Sequence, residues 1–261
     1  MIDWLNPVAG FLVGTLVGFT GVGGGALMTP LLVLLFGVAP QTAIGTDLLF
    51  ASITKAFGGW VHGTRGSIDW RVLRLLATGS VPAALLTLLL IRYFPPGQEL
   101  RSLLLPALGA ALALTSVAML FQPKLHRLGR KLRTAAPDRF KQAQPGLTIA
   151  AGALLGLLVT LTSVGAGALG VVMLVYLYPY RLTPPKLVGT DIAHAIPLTL
   201  VAGLGHMGLG NVDLRLLAGL LVGSIPGIIL GSRLSVGVNH VYVRNAIALV
   251  LVVVGARLLL A

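Results

Sequence analysis

Four residues inside the apolar stretches of this chain could hold charge or move protons: Asp47, Lys55, Asp191 and His194. Ionisable groups buried in apolar segments are costly and mark ion or proton paths. The two aspartates each follow Gly-Thr, as Gly45-Thr46-Asp47 and Gly189-Thr190-Asp191. A carboxyl near a helix start either caps that helix or, once buried, takes up and releases a proton. The hydroxyls of Thr46 and Thr190 either cap the same helices or donate to an anion. Lys55 lies eight residues after Asp47, on about the same helix face and two turns on. It either reaches toward an interface or attracts an anion. His194 follows Asp191 by three residues on the same face, where it either relays protons or is a single hydrogen-bonded histidine.

A second set of residues is chemical through its backbone. GVGGGAL (Gly21–Leu27) and SVGAGAL (Ser163–Leu169) concentrate glycine within apolar runs. Glycine in a helix interior costs about 1 kcal/mol relative to alanine. Clustered glycines therefore break the helix. A half-helix start presents N–H groups and a positive dipole end, which suit an anion, and glycine lets a ligand approach the backbone. Gly23, Gly24 and Gly25, with Gly165 and Gly167, are the expected anion cradle. Close helix packing through small residues is the alternative, and it suffices for the scattered Gly10, Gly14 and Gly18. GVGGGA has no strand–turn–helix context for a dinucleotide, and no GK[ST] follows for a nucleotide phosphate. Ser163 and His194 lack a nucleophile-elbow frame, HExxH is absent, and Glu99 is the single glutamate, so an enzyme is not expected. No cofactor or metal is expected either.

The elements that position these residues are membrane helices. The chain has 261 residues, mean hydropathy +0.94 and only 10% charged residues, against about 25% in soluble domains. It contains no cysteine, which removes disulfides and thiolate metal sites. The N-terminus shows no charged region or cleavage site of a removable signal. Apolar segments are expected at Pro7–Phe36, Thr42–Val61, Trp70–Phe94 and Leu100–Phe121. After a basic loop come Leu147–Tyr178, Pro185–Gly205, Leu214–Leu234 and Tyr242–Leu260. Pro95, Pro96, Pro123 and Pro145 are expected to end segments; Pro82 and Pro226 should kink them. His62 and His206 fall at segment ends, and Asp69 and Asp213 at helix starts.

The segments form a duplication. The glycine boxes match at an offset of 142 residues, and the Gly-Thr-Asp triplets, His62/His206, Asp69/Asp213 and Pro82/Pro226 match at 144. Lys55 breaks the pattern, because its counterpart is Thr199. The expected domains are a first repeat over residues 1–122, a basic cytoplasmic loop over 123–145 and a second repeat over 146–261. The fold class is all-α integral membrane, with two inverted repeats. Each repeat holds a glycine-broken helix or re-entrant hairpin plus three transmembrane helices.

Charge supports the hairpin form. Seven cations and Asp138 fall between Lys124 and Lys141, which supplies half of the net +12. Lys and Arg clustered between apolar segments mark a cytoplasmic loop beside anionic lipid rather than a nucleic-acid surface. With the glycine segments re-entrant, the remaining cations divide seven inside to four outside; with both crossing, five to six.

Taken together, GVGGGALMTPLL, AIGTDLLFA and GSIDWRVL, with VGTDIAHAIPLTLVAGLGH and GNVDLRLL in the second half, resemble the TauE/SafE-type sulfite exporter family, also known as the toluenesulfonate-uptake permeases. The resemblance covers essentially the whole chain. It implies a multi-pass secondary transporter of the bacterial inner membrane. Its substrate would be sulfite, sulfate, thiosulfate or an organosulfonate, moved by alternating access with protons. The partners implied are that small anion, protons and lipid, with no nucleic acid. Under this reading Gly23, Gly24, Gly25, Thr46, Lys55, Gly165, Gly167 and Thr190 bind substrate, and Asp47, Asp191 and His194 couple protons. The second box departs from the family pattern at Ala166, which stands in for a glycine. An uncoupled anion channel is the rival function.

Overall fold

The computed structural model describes residues 4–20, 25–63, 67–94, 104–135, 137–234 and 240–260. Gly21, Gly23, Gly24, Arg65, Gly66, Pro95, Pro96, Glu99 and Arg101 lie outside the described residues, as does the side chain of His62. The elements are α1 (Leu5–Thr20), α2 (Gly25–Leu34), α3 (Pro40–Gly63), α4 (Trp70–Tyr93) and α5 (Leu104–Ala135). They continue as α6 (Pro137–Thr162), α7 (Ala168–Leu177), α8 (Pro184–Gly208), α9 (Leu214–Leu234) and α10 (His240–Leu259). Both long glycine segments are broken at their boxes. The pieces α2 and α7 have ten residues each, or about 15 Å, too short for a hydrocarbon core of about 30 Å.

The two helices flanking each box run antiparallel. Gln144 of α6 donates to the Leu177 carbonyl and Thr148 meets the Tyr178 hydroxyl. Leu155 and Val159 pack on Leu169. The numbering falls along α7 as it rises along α6, so the two helices are antiparallel. In the first repeat, Thr29 of α2 meets Asp47 of α3, and Val38 N–H returns to the Leu32 carbonyl. That makes α2 and α3 antiparallel. Helix α3 runs with α9, through Thr46 to Asp213 and Thr54 to Ser224. Helix α1 also runs with α9, since Gly10, Gly14 and Gly18 face Leu220, Ser224 and Ile228 in turn. Hence α2 returns antiparallel to α1.

The same accounting gives the topology. Helices α3 and α8 are antiparallel, with Ser52 near Ile196 and Gly45 near Asn211. Helix α4 runs with α8 through Asp69–Thr190 and Ser80–His194. It also runs with α6, because Gly152 faces Leu76 and Gly156 faces Ser80. Helices α5 and α10 are antiparallel, with Ser116 on the Ala248 carbonyl and Gly109 against Gly255. Every direction in α1–α5 is reversed in α6–α10, so the repeats are inverted. The hairpins enter from opposite sides and their tips meet, where Ala26, Val164 and Ala168 share a core cluster with Leu108, Leu112, Ala248 and Leu251.

Packing is interleaved. Helix α1 lies on α9 of the other repeat, and α6 lies on α4. Both seams are built from glycines whose faces admit a neighbouring backbone: Gly10, Gly14 and Gly18 with Gly223, Gly227 and Gly231 between α1 and α9, and Gly79 with Gly152 and Gly156 between α4 and α6. Small residues let membrane helices approach closely when no hydrophobic force draws them together. The outer surface is apolar, with Leu85, Leu86, Leu89 and Leu90 of α4 and Leu249 and Val253 of α10 exposed. The interior holds Thr46, Asp47, Lys55, Ser80, Asp191 and His194 instead. Among the described residues five helices are long and apolar enough to cross a membrane, namely α4, α5, α6, α8 and α9. The chain is a multi-pass membrane protein.

Residues 123–145, expected as a loop, are helical on both sides of residue 136. Pro123 and Pro145 lie inside α5 and α6 rather than at their ends. The intervening Lys, Arg, Leu and Gln residues are good helix formers and outweigh the local proline cost. Helix α6 therefore extends beyond the start of α4, and only about 17 of its residues, roughly 25 Å, lie alongside it. All seven cations of this segment share one side with Asp69, Arg71, Arg74, Arg181, Lys186 and Arg233. Arg92, Arg215 and Arg257 lie on the other.

The α1–α9 seam yields a contrast between two glycines. A Cβ on Gly223 would strike the Pro7 carbonyl, whereas nothing lies within 4 Å of one on Gly208. Gly223→Val is expected to cost about 1–3 kcal/mol through overpacking, read as a lower thermal midpoint in detergent. Gly208→Ala should leave that midpoint unchanged or slightly raised.

Candidate functional site

The site lies where the second hairpin's turn meets α3, α2 and α8. Its shape comes from the turn, residues 163–167. Ser163 has φ +58°, Gly165 +113° and Gly167 +131°. The last two values are open to glycine and strained for other residues. Glycine is thus required here first by the turn, and Ala166 is tolerated because its φ is not positive. Thr162 Oγ1 accepts the Val164 N–H at 3.2 Å, which satisfies one donor of the broken helix. Gly167 is the N-cap of α7 and brings no side-chain cap, so the first-turn amides of α7 are not covered by a side chain of their own cap.

Asp47 is fully buried on α3. Its Oδ2 accepts from Thr29 Oγ1 at 2.5 Å and from Ser163 Oγ at 2.9 Å, so both hairpins grip one carboxyl oxygen. Its Oδ1 is buried with no hydrogen-bond partner among the described residues. Asp191, the duplicate on α8, is equally buried, and its Oδ2 has no such partner either. The duplicated register explains the difference. Val171 stands where the first repeat has Thr29, and Gly21 where the second has Ser163. Asp191 instead lies against Gly170, where a Cβ would strike Oδ1.

Lys55 completes the cluster. It is 2% exposed, and its Nζ donates to the Ala166 carbonyl at 2.5 Å, at the tip of the turn. It sits within electrostatic reach of Asp191, Asp47 and His194. No carboxylate among the described residues pairs with it within 4 Å, since the ion pair there is Arg181–Asp69. The lysine therefore does not extend to an interface. A buried cation and two buried acids lie around a backbone turn whose helix start has no side-chain cap, an arrangement able to hold an anion and a proton together.

The remaining predicted residues divide. Gly165 and Gly167 form the turn, and Gly25 begins α2. His194 Nε2 meets Ser80 Oγ at 2.8 Å, joining α8 to α4. No hydrogen bond among the described residues links its ring to Asp191, and Ser163 donates to Asp47 instead, so neither serine belongs to a Ser-His-Asp relay. Thr46 and Thr190 are turned away from the cluster. Their hydroxyls accept the backbone N–H of Asp213 at 3.0 Å and of Asp69 at 2.9 Å. Each thus pins an aspartate-bearing helix to the start of the neighbouring helix. His206 is buried rather than interfacial, with Nε2 on the Thr160 carbonyl at 2.9 Å. Sequence reasoning passed over Thr29 and Ser80. The signal for Thr29 is a hydroxyl two residues after the first glycine box where the second repeat has Val171.

Asp69 caps α4 and receives both Arg181 Nε at 2.7 Å and Nη2 at 2.9 Å. This pair ties the start of α4 to the chain leaving α7. Partial burial alone would raise the Asp69 carboxyl, but Arg181 and the Val72 N–H outweigh it and hold the group below its ordinary value.

The family described as Sulfite exporter TauE/SafE matches residues 7–258. The chain belongs to that family. It is similar to the probable membrane transporter protein YjnA of Bacillus subtilis (strain 168), at 39% identity over 96% of this chain and 97% of the relative. It is also similar to the probable membrane transporter protein YdhB of the same organism, at 28% identity over 95% and 97%. No solved structure gives a significant match. In this TauE/SafE chain the second glycine box forms a hairpin turn, and the Ser163 hydroxyl at its start reaches Asp47 of the first Gly-Thr-Asp triplet.

Two outcomes test the site. Thr29→Val removes one of the two donors to Asp47 and should cost about 1–3 kcal/mol in detergent unfolding; Thr15→Val, which loses only a bond to the Phe11 carbonyl of its own helix, should cost less. The Asp69–Arg181 pair should stabilise fully above the ordinary carboxyl value of 3.8 and fade as pH falls through the lowered native value. With Arg181 largely solvated, its worth is about 0.2–1 kcal/mol. The loss on Arg181→Gln should thus be equal at about pH 6 and about pH 8 and shrink below about pH 4, measured by thermal midpoints.

Proposed function

We propose that this protein is a secondary transporter for a sulfur oxyanion of the sulfite, sulfate, thiosulfate or sulfonate class, coupled to protons. The observation that carries the reading is Lys55, a buried cation bonded to the hairpin tip at Ala166 and lying near Asp47 and Asp191. Lys55 and the first-turn amides of α7 hold the anion. Gly165 and Gly167 shape that cradle, and Gly23, Gly24 and Gly25 supply its inverted counterpart. Thr46 and Thr190 position the aspartates rather than touch the substrate. With both acids ionised the cluster sums to one negative charge, and a proton on either carboxyl brings it to zero. An incoming anion and a proton are then taken up together, which is the physical basis for coupling. His194 lends a second proton-accepting group beside Asp191.

Opposed hairpins meeting at their tips suit alternating access, because each can shift against its neighbouring helices while the other stays in place. The family description, which names sulfite, supports the substrate class. We place the protein in the bacterial inner membrane with the basic segment cytoplasmic, in keeping with the strong Lys and Arg excess on that side. The separation of Ser163 from His194 favours transport over hydrolysis.

Reconstitution into proteoliposomes with sulfite, sulfate, thiosulfate and a small sulfonate, under an imposed pH gradient, tests the proposal. One anion should accumulate with the gradient. Lys55→Gln should cut its uptake about tenfold, equivalent to 1.4 kcal/mol. Asp191→Asn and Asp47→Asn should uncouple uptake from the pH gradient. Flux that ignores the gradient and survives both aspartate substitutions would instead identify an uncoupled anion channel.

A further inference from the structure

The basic side carries a second, separate constellation. A cavity of about 270 Å³ is lined by Arg71, Arg133, Lys141, Gln144, Tyr178 and Arg181, among others. It adjoins a second of about 280 Å³ that shares Arg71, Leu75 and Pro145 and adds Trp70 and Arg74. Asp69 neutralises Arg181. No carboxylate among the described residues forms an ion pair with Arg71, Arg133 or Lys141, even though Asp138 lies one turn before Lys141. Arg133 Nη1 is buried with no hydrogen-bond partner among the described residues, while its guanidinium lies over the Phe140 ring at 5.8 Å. A buried, unpartnered guanidinium N–H is costly unless something accepts from it. The walls are held in place: Gln144 donates to the Leu177 carbonyl and Tyr178 meets Thr148.

The adjoining cavity has a different character. Trp70 begins α4 and is 60% exposed, at the level where tryptophan settles in a membrane interface. Leu75 and Pro145 complete its apolar lining.

We propose that these two cavities form a binding site for a phosphate group, the headgroup phosphate of an anionic phospholipid. Arg133, Arg71 and Lys141 bind the phosphate oxygens through charge-assisted hydrogen bonds, with guanidinium geometry suited to two at once. The glycerol and the first acyl carbons lie along Trp70 and Leu75. The bound lipid bridges the start of α4, the α5–α6 helical pair and the chain leaving α7. It thereby fixes the outer end of the second hairpin. A free phosphate ion offers the same chemistry without the apolar part.

The test uses the full chain purified in detergent. Native mass spectrometry after exposure to phosphatidylglycerol or phosphatidylcholine vesicles reads lipid retention. Thermal unfolding with inorganic phosphate, against chloride at matched ionic strength, reads the free ion. Wild type should retain phosphatidylglycerol over phosphatidylcholine. Lys141→Gln, an exposed position that should fold normally, should reduce retention roughly fivefold, and Arg133→Gln at least as much. Arg127→Gln, in a different cavity beside Pro123 and Arg130, should leave retention unchanged. A phosphate-induced rise in midpoint that Lys141→Gln abolishes, without lipid preference, assigns the site to free phosphate. Equal losses in Lys141→Gln and Arg127→Gln, or neither lipid preference nor a phosphate effect, overturn the proposal.

Discussion

A helix that stops inside a bilayer leaves backbone donors and acceptors facing a medium that cannot bind them. That constraint organises this molecule. Each glycine box ends a helix within the apolar layer, so each turn must be enclosed by protein. The α5–α10 pair, α3 and α8 supply the enclosure, and the tips of the two hairpins cover one another. The open groups of the second turn are then filled locally: Thr162 takes the Val164 N–H, and Lys55 takes the Ala166 carbonyl. The lysine is buried because the broken backbone needs a donor, and the turn is stable because the lysine supplies one. Structure and candidate chemistry rest on the same bond.

The frame is symmetric and the site is not. Inverted copies give the two hairpins, the two Gly-Thr-Asp helices and the two threonine ties to neighbouring helix starts. Within that frame Lys55 faces Thr199 by register, and Thr29 faces Val171. One aspartate is gripped by two hydroxyls; the other packs against a glycine. The two halves therefore give their buried carboxyls unequal surroundings.

Much of this frame could be read from residues. The duplicated register at 142–144 residues announced two repeats. The surplus of Lys and Arg on one side already favoured hairpins, and the contacts of Gln144 and Thr148 across α6 and α7 show the same arrangement. Other features depended on partners far apart in sequence. Thr46 and Thr190 look like ligands beside an aspartate until Asp213 and Asp69 arrive from another helix. Thr29 gained its meaning only when Asp47 was brought to it by the turn between α2 and α3. Helical continuation through Pro123 and Pro145 was missed because proline was weighed as a stop and the surrounding helix formers were not.

The interleaved seams bear on how the chain is made. Helix α1 has its glycine face matched to α9, about two hundred residues later in the chain. At synthesis rates of roughly 5–20 residues per second, that partner emerges about 10–40 s after α1. For that interval the first hairpin must be sheltered by lipid or by the insertion machinery. Neither repeat is a folding unit, because each first helix finds its principal partner in the other half. A single repeat by itself would leave the glycine face of α1 without the α9 surface that it packs on.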